Sequence, residues 1–216
     1  MANRKLEGGL LVGSNRKIDG EYAYGTIGTI VWYNKRPMIL SAFHVLSPDG
    51  RFVLNDEIGQ PPGRTVAQMS VGSFGNGQLD VGLAEVCSDH VSMIGNNGTS
   101  RVYGIPPQYT QPSGFATQSD INKLIKKEIP VIKSGYSTKL TEGFIVGIRK
   151  EAFTINYPIA RRKFKVYNLI VIQAKKREFS KEMDSGSIIM TPGETLPDCE
   201  YIVAIFYLEV AVSLRS

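Results

Sequence analysis

Three stretches of the chain carry the residue types that turn an alcohol into a nucleophile: Ala42-Phe43-His44-Val45, Asp80-Val81-Gly82-Leu83 and Met183-Asp184-Ser185-Gly186-Ser187. A serine hydroxyl is almost fully protonated at neutral pH. It needs an imidazole to take its proton and a carboxylate to orient that imidazole and stabilise its charged form. The chain has only two histidines, so the base can be argued by elimination. His44 follows the apolar run Met38 to Leu40 through the small residues Ser41 and Ala42, which leave room for a cleft. His90 lies in the polar segment Cys87-Ser88-Asp89-His90 at the end of a strand, where a solvated histidine is the default. Asp80 opens an otherwise apolar stretch, and a carboxylate entering a core needs hydrogen-bond partners or a cation. A histidine N–H is one such partner; an aspartate that merely starts a strand is the other interpretation. At Asp184-Ser185-Gly186 a tight turn exposes a hydroxyl and directs successive backbone N–H groups to one point, where they stabilise the oxyanion of an attacked carbonyl. The same tripeptide is also a common surface turn.

The elements that must position these residues are strands. Short runs of β-branched and aromatic residues recur between Gly, Pro, Asn and Asp: Gly25 to Tyr33, Arg36 to Ser41, Leu79 to Val86, Gly143 to Lys150, Lys165 to Ala174, Ser187 to Thr191 and Tyr201 to Leu208. The break Asn34-Lys35-Arg36-Pro37 predicts a hairpin within Gly25 to Ser41. Ile121, Leu124 and Ile125 share one face of a short helix within Ser119 to Lys127. The Gly-, Pro-, Asn- and Gln-rich segment from Gly95 to Gly114 suits a connection between two halves, with the boundary near residues 100 to 125.

Charged residues form 21% of the chain and apolar residues 42%, an ordinary globular composition. The polar, basic start and the absence of a signal-like apolar stretch predict a cytoplasmic protein. No run approaches the roughly 20 apolar residues that cross a bilayer, so no membrane is expected. Cys87 and Cys199 are too few for a disulfide framework and lack the close spacing of zinc ligands, so two free buried thiols and no metal are expected. The 25 basic against 20 acidic residues cluster at Lys123 to Lys127, Arg161 to Lys165 and Lys175 to Arg177. Such short clusters usually cover solvated loops and edges. Gly72-Ser73-Phe74-Gly75-Asn76-Gly77 lacks the lysine of a phosphate loop.

In this order, the motifs resemble those of the trypsin-like, chymotrypsin-fold serine peptidases, particularly their bacterial intracellular branch without disulfides. The resemblance runs through most of the chain. It covers Gly8-Gly9, Gly25 to Val31, Leu40-Ser41-Ala42-Phe43-His44-Val45, Asp80-Val81-Gly82-Leu83, Val131 to Gly143 and Phe179 to Ser187. It implies an all-β fold of two packed six-stranded antiparallel barrels in a single peptidase domain spanning residues 1–216. The first barrel would occupy about residues 1–105, the connection with its short helix about 106–128, and the second barrel about 129–216. His44 and Asp80 would stand on the first barrel, Ser185 on the second, and a protein or peptide substrate would lie across the seam. The resemblance further implies an acyl-enzyme mechanism with no cofactor.

Residues of this family usually include a glycine two before the nucleophile; here it is Met183. The family makes the Met183 and Ser185 N–H groups the oxyanion donors. A side chain disfavours positive φ, so the resemblance predicts a peptide plane flipped away at rest, and an activating or sensor protein as a partner. The pocket would be floored by Phe179 and Ser180 and walled by Ile205, Phe206 and Tyr207, favouring small or apolar side chains. Two other interpretations remain at this stage: a catalytically silent member of the fold that binds peptides, and a basic all-β nucleic-acid module in which the Asp-Ser-Gly turn is incidental.

Overall fold

Asn34 and Lys35 adopt left-handed φ values of 49° and 64°. Two consecutive residues of that kind form the two-residue hairpin turn whose twist matches its flanking strands. In the computed structural model they join two strands of an all-β chain, described over residues 5–75, 79–94, 101–106, 114–157, 162–176, 178–191 and 201–205. The first half contains β1 (Leu11–Ser14), β2 (Lys17–Ile18), β3 (Glu21–Tyr22), β4 (Gly25–Thr26), β5 (Thr29–Tyr33), β6 (Arg36–Ser41), β7 (Glu57–Gly59), β8 (Thr65–Gly75) and β9 (Leu79–Val86), with the one-turn helix α1 (Phe43–Leu46) after β6. The second half contains β10 (Gly114–Phe115), helix α2 (Gln118–Lys126), β11 (Pro130–Gly135), β12 (Lys139–Arg149), β13 (Phe153–Tyr157), β14 (Arg162–Val166), β15 (Leu169–Ala174), β16 (Ile188–Met190) and β17 (Tyr201–Ile205).

Seven strands of the first half form one sheet in the order β4-β1-β7-β8-β9-β6-β5. Its two edges, β4 and β5, are separated in sequence only by Ile27 and Gly28, and three steps of chain reach at most about 11 Å. The connecting dipeptide is bonded to both sides: Ile27 N–H donates to Leu10 O beside β1, and Gly28 N–H donates to Leu40 O on β6, each at 2.8 Å. The sheet is therefore rolled on itself around Val12, Ile30, Ile39, Phe43, Ile58, Val66 and Met69. What looked like one strand from Gly25 to Tyr33 is split at the point where the roll closes.

Six strands of the second half follow the order β10-β17-β16-β11-β12-β15, antiparallel except for β10 beside β17. Their core holds Leu124, Ile129, Val131, Ile145, Ile172, Phe179 and Ile189. The expected six-plus-six arrangement thus appears as a rolled seven-stranded sheet and a six-stranded sheet with β10 and β15 at its edges among the described residues. A third cluster, Leu40, Val102, Ile105, Ile132, Ile188 and Met190, draws on both halves and forms their junction. The run from Lys165 to Ala174 is broken at Asn168, whose φ is 56°.

Helix α2 starts one residue earlier than the sequence pattern suggests. Thr117 caps it, its hydroxyl accepting from Asp120 N–H while Asp120 reaches back to the Thr117 N–H. Ile121, Leu124 and Ile125 pack on the second core, as their spacing requires. Cys87 is a free, half-buried thiol, more exposed than expected, and Cys199 lies outside the described residues. No helix among the described residues is long and apolar enough to cross a membrane.

Gly28 is one place where the backbones of the two halves come close. A Cβ there would stand 2.6 Å from Gly186 O, 2.9 Å from Leu40 O and 3.0 Å from Ile188 Cγ2. Gly28→Ala is expected to destabilise the protein by about 1–3 kcal/mol through overpacking at the junction, measured by urea unfolding.

Candidate active site

Strand register places the first two residues of interest. The pairing of β6 with β9 sets Leu40 opposite Leu83 and Ser41 opposite Gly82. Continued by two residues, it puts Asp80 across from Phe43, immediately beside His44. The Asp80 carboxylate takes two donors from that one residue: the His44 backbone N–H reaches Oδ1 at 3.0 Å and the ring Nδ1 reaches Oδ2 at 2.5 Å. The first contact caps helix α1, whose N-cap Ala42 has no side-chain acceptor of its own. The second fixes the tautomer. A carboxylate only accepts, so Nδ1 carries the proton and Nε2 is left as an acceptor. Both side chains are largely buried, at 10% and 14% exposure.

Ser185 sits in the second half on two consecutive turns. Asp184 N–H donates to Lys181 O at 3.1 Å, and Ser187 N–H donates to Asp184 O at 3.0 Å. Their third residues, Met183 and Gly186, have φ values of 70° and 93°. Gly186 fits this conformation, and a Cβ there would overlap Ser41 Oγ and Thr26 O. Met183 adopts it too, contrary to the expectation that its side chain would keep the backbone out of this region, and against a preference of about 1–2 kcal/mol. The N–H groups of Met183 and Ser185 donate to no acceptor among the described residues.

The turn is docked onto the first half by Thr26, whose side chain carries no catalytic chemistry of its own. Thr26 N–H donates to Ser185 O at 2.8 Å, and its hydroxyl donates to Met183 O at 2.7 Å and accepts from Tyr136 N–H at 3.0 Å. Its own carbonyl accepts from Ser41 Oγ at 2.8 Å. Ser41 and Ala42 immediately precede the helix of His44, so one buried threonine links the serine turn to the histidine segment. The only sequence signal for it was its place in Gly25-Thr26-Ile27-Gly28.

Asp184 is buried completely, and Lys133 on β11 answers it at 2.9 Å with equal burial. Thr138 Oγ1 donates to the same carboxylate at 2.6 Å, as do the N–H groups of Ser137 at 2.8 Å, Thr138 at 3.2 Å and Lys181 at 3.1 Å. Burial by itself pushes this carboxyl up; the Lys133 charge, followed by the Thr138 and Lys133 hydrogen bonds, outweighs it and holds the group below its ordinary value. A buried carboxylate needs a cation or hydrogen-bond donors, and the structure supplies a lysine and backbone N–H groups together.

Phe179, expected at the floor of a pocket, is 2% exposed and belongs to the second core. Its ring lies 5.4 Å from Lys133 Nζ, and its carbonyl accepts from Thr141 Oγ1 at 2.9 Å. Ser180 is buried with Oγ 3.4 Å from Asp184 Oδ2. Ile205 pairs with Ile188 at the end of β17. Phe206 and Tyr207 lie outside the described residues. His90 is not simply solvated: its ring is 16% exposed and bonded to Asp89.

No protein-family profile and no curated sequence matches the chain. Solved structures do. A glutamic acid specific serine protease that uses a histidine triad in substrate binding superimposes with a TM-score of 0.53 at 18% identity, covering 85% of this chain and 79% of that one. Protease A of Thermobifida fusca gives 0.53 at 16%, covering 87% and 78%. Cellulomonas bogoriensis chymotrypsin gives 0.53 at 17%, covering 87% and 78%. The chain has the chymotrypsin-like fold of these bacterial serine proteases.

Removing the cation beneath the serine turn has a calculable consequence. Lys133→Met leaves Asp184 buried and unpaired and is expected to destabilise the protein by about 3–5 kcal/mol. Because the folded-state pKa of Asp184 lies below its unfolded value, its stabilisation is complete above the ordinary value of 3.8 and is lost as pH falls through the lowered folded value. In Lys133→Met burial is no longer outweighed by that charge, so the acid loss carried by Asp184 should shrink or reverse and the stability gap between variant and parent should narrow as pH falls, read by denaturant unfolding at a series of acidic pH values.

Proposed function

We propose that the protein is a serine endopeptidase acting on protein or peptide substrates. The observation that carries this is the two-point grip of Asp80 on His44, next to the Ser41–Ala42 segment onto which the Ser185 turn is docked. Ser185 Oγ attacks the scissile carbonyl, and His44 Nε2 takes its proton. Asp80 stays ionised, holding the ring through Nδ1 and stabilising the imidazolium. The carbonyl oxygen becomes an oxyanion that the Met183 and Ser185 N–H groups receive. As the tetrahedral adduct collapses, the C–N bond breaks, His44 returns the proton to the leaving amine, and an acyl-ester remains on Ser185. Water activated by the same imidazole then releases the acid and restores the hydroxyl.

Asp184 serves a different purpose from Asp80. It is bound by Lys133, Thr138 and three backbone donors, and so buttresses the turn that presents the nucleophile. The lysine belongs to the folded chain, so this buttress does not wait for a new amino terminus. What remains adjustable is Met183, whose left-handed backbone leaves a relaxed arrangement of the oxyanion donor close in energy. Substrate or an activating protein that engages the turn would favour the productive arrangement, and activity is conditional in that sense. No acid stands at Ser180 beside the serine turn to select Arg or Lys, and a small or apolar side chain is the proposed preference.

A fluorophosphonate probe should label the purified protein at Ser185. Labelling should vanish in Ser185→Ala and fall by about 10²- to 10⁴-fold in His44→Ala, the share usual for a positioned general base. Absence of labelling with and without peptide substrates would instead indicate a peptide-binding module. Met183→Gly, which removes the conformational penalty, is expected to label up to about tenfold faster than the parent in the absence of substrate. An equal rate for the two would sink the conditional oxyanion site.

A further inference from the structure

Strand β9 carries Asp80 near one end and runs out at the other into Cys87, a distance of seven residues or roughly 23 Å of extended chain. At that far end Cys87, Asp89 and His90 bring three different donor types together. One ligating atom from each lies within 4.8 Å of the other two. We propose that these three side chains form a zinc-binding site at the base of β9, separate from the candidate active site.

The local backbone sets up the cluster. Cys87 ends the strand, its N–H donating to Val66 O at 3.0 Å on β8, and a 3-10 helix over Ser88–Met93 then turns the chain back. His90 N–H donates to Cys87 O at 2.8 Å, which brings His90 back beside Cys87. The His90 ring is then held by Asp89, with Nδ1 and Oδ1 2.8 Å apart. The flanks are anchored, because Val91, Met93 and Ile94 pack on the first core. Ligand atoms of a tetrahedral zinc ion with bonds of about 2.0–2.3 Å stand roughly 3.3–3.8 Å from one another, so small side-chain rotations complete the geometry.

The donor set selects the metal. A thiolate with an imidazole suits a borderline-soft ion and disfavours calcium and magnesium, which take oxygen ligands. Three protein ligands leave the fourth position to water, and the exposed Asp89 side chain keeps the site open to entry. The surroundings are also negative. The charges of Asp89, Glu57 and Glu85 all act on Cys87. A dication reverses that field. On binding, the thiol proton leaves to solvent, the Cys87 sulfur bonds the metal, and His90 ligates as neutral imidazole with its remaining proton on the other ring nitrogen.

Titration of the reduced, metal-free full-length chain with Co²⁺ tests this. One equivalent should give a thiolate-to-cobalt charge-transfer band with the visible bands of four-coordinate cobalt, both removed by equimolar Zn²⁺. Cys87→Ser should abolish the charge-transfer band, and Cys199→Ser should leave it intact. Asp89→Asn and His90→Ala should each weaken Zn²⁺ affinity by about tenfold or more, with far-ultraviolet circular dichroism confirming that each variant is folded. The absence of a thiolate band at one equivalent, its survival in Cys87→Ser, or parental affinity in either Asp89→Asn or His90→Ala would overturn the proposal.

Discussion

Asp184 is a carboxylate without solvent contact, and the geometry around Ser185 follows from how that charge is satisfied. Lys133 reaches it from β11, Thr138 from the turn after β11, and Lys181 from its own loop. A buried ion pair gains little net stability over an apolar pair, since desolvation offsets most of its attraction. Its effect here is positional. The carboxylate has one place in which its donors converge, and that place dictates the two turns on either side of it. Met183 is drawn into a left-handed conformation by the same constraint, as the residue before a carboxylate that cannot move.

The second requirement is that the turn meet the first half at a defined point. Thr26 meets it through hydrogen bonds to the carbonyls of Met183 and Ser185, which flank the aspartate. It lies where the rolled sheet closes, so closing the roll and docking the turn use the same residue. The close backbone approach of Gly28 to Gly186, and the mixed apolar cluster of Leu40, Ile132 and Ile188, leave little room for sliding at the junction. On the first half, strand register alone brings Asp80 beside His44. Ordinary sheet hydrogen bonding thus sets His44 against Asp80, and a buried polar network holds the turn of Ser185.

Strand β9 has polar groups at both ends with unlike duties. Asp80 at one end stops short of the core by capping helix α1 and holding an imidazole. Cys87 at the other begins a helical turn that gathers a thiol, a carboxylate and a second imidazole. The apolar residues between them, with Ala84 and Val86 in the first core, keep the two apart.

Strand content, the hairpin at Asn34 and the helix after Thr117 were legible in the sequence, because two-residue and 3.6-residue periodicities and turn chemistry are local properties. His44, Asp80 and Ser185 stood out as candidates from residue type, order and a family resemblance, because few side chains have the chemistry and the chain holds only two imidazoles. The partner of Asp184 was not legible, since Lys133 lies 51 residues away and nothing around it distinguishes it from the other lysines. Nor were Thr26 as the docking residue, Phe179 as a core ring beneath a lysine, or the return of His90 beside Cys87. The left-handed backbone at Met183 went against local preference, which a sequence window reports and a buried charge overrides. Local chemistry, in short, announces which groups are capable of reacting; only long-range packing, with its demand that every buried charge and N–H find a partner, decides which of them meet.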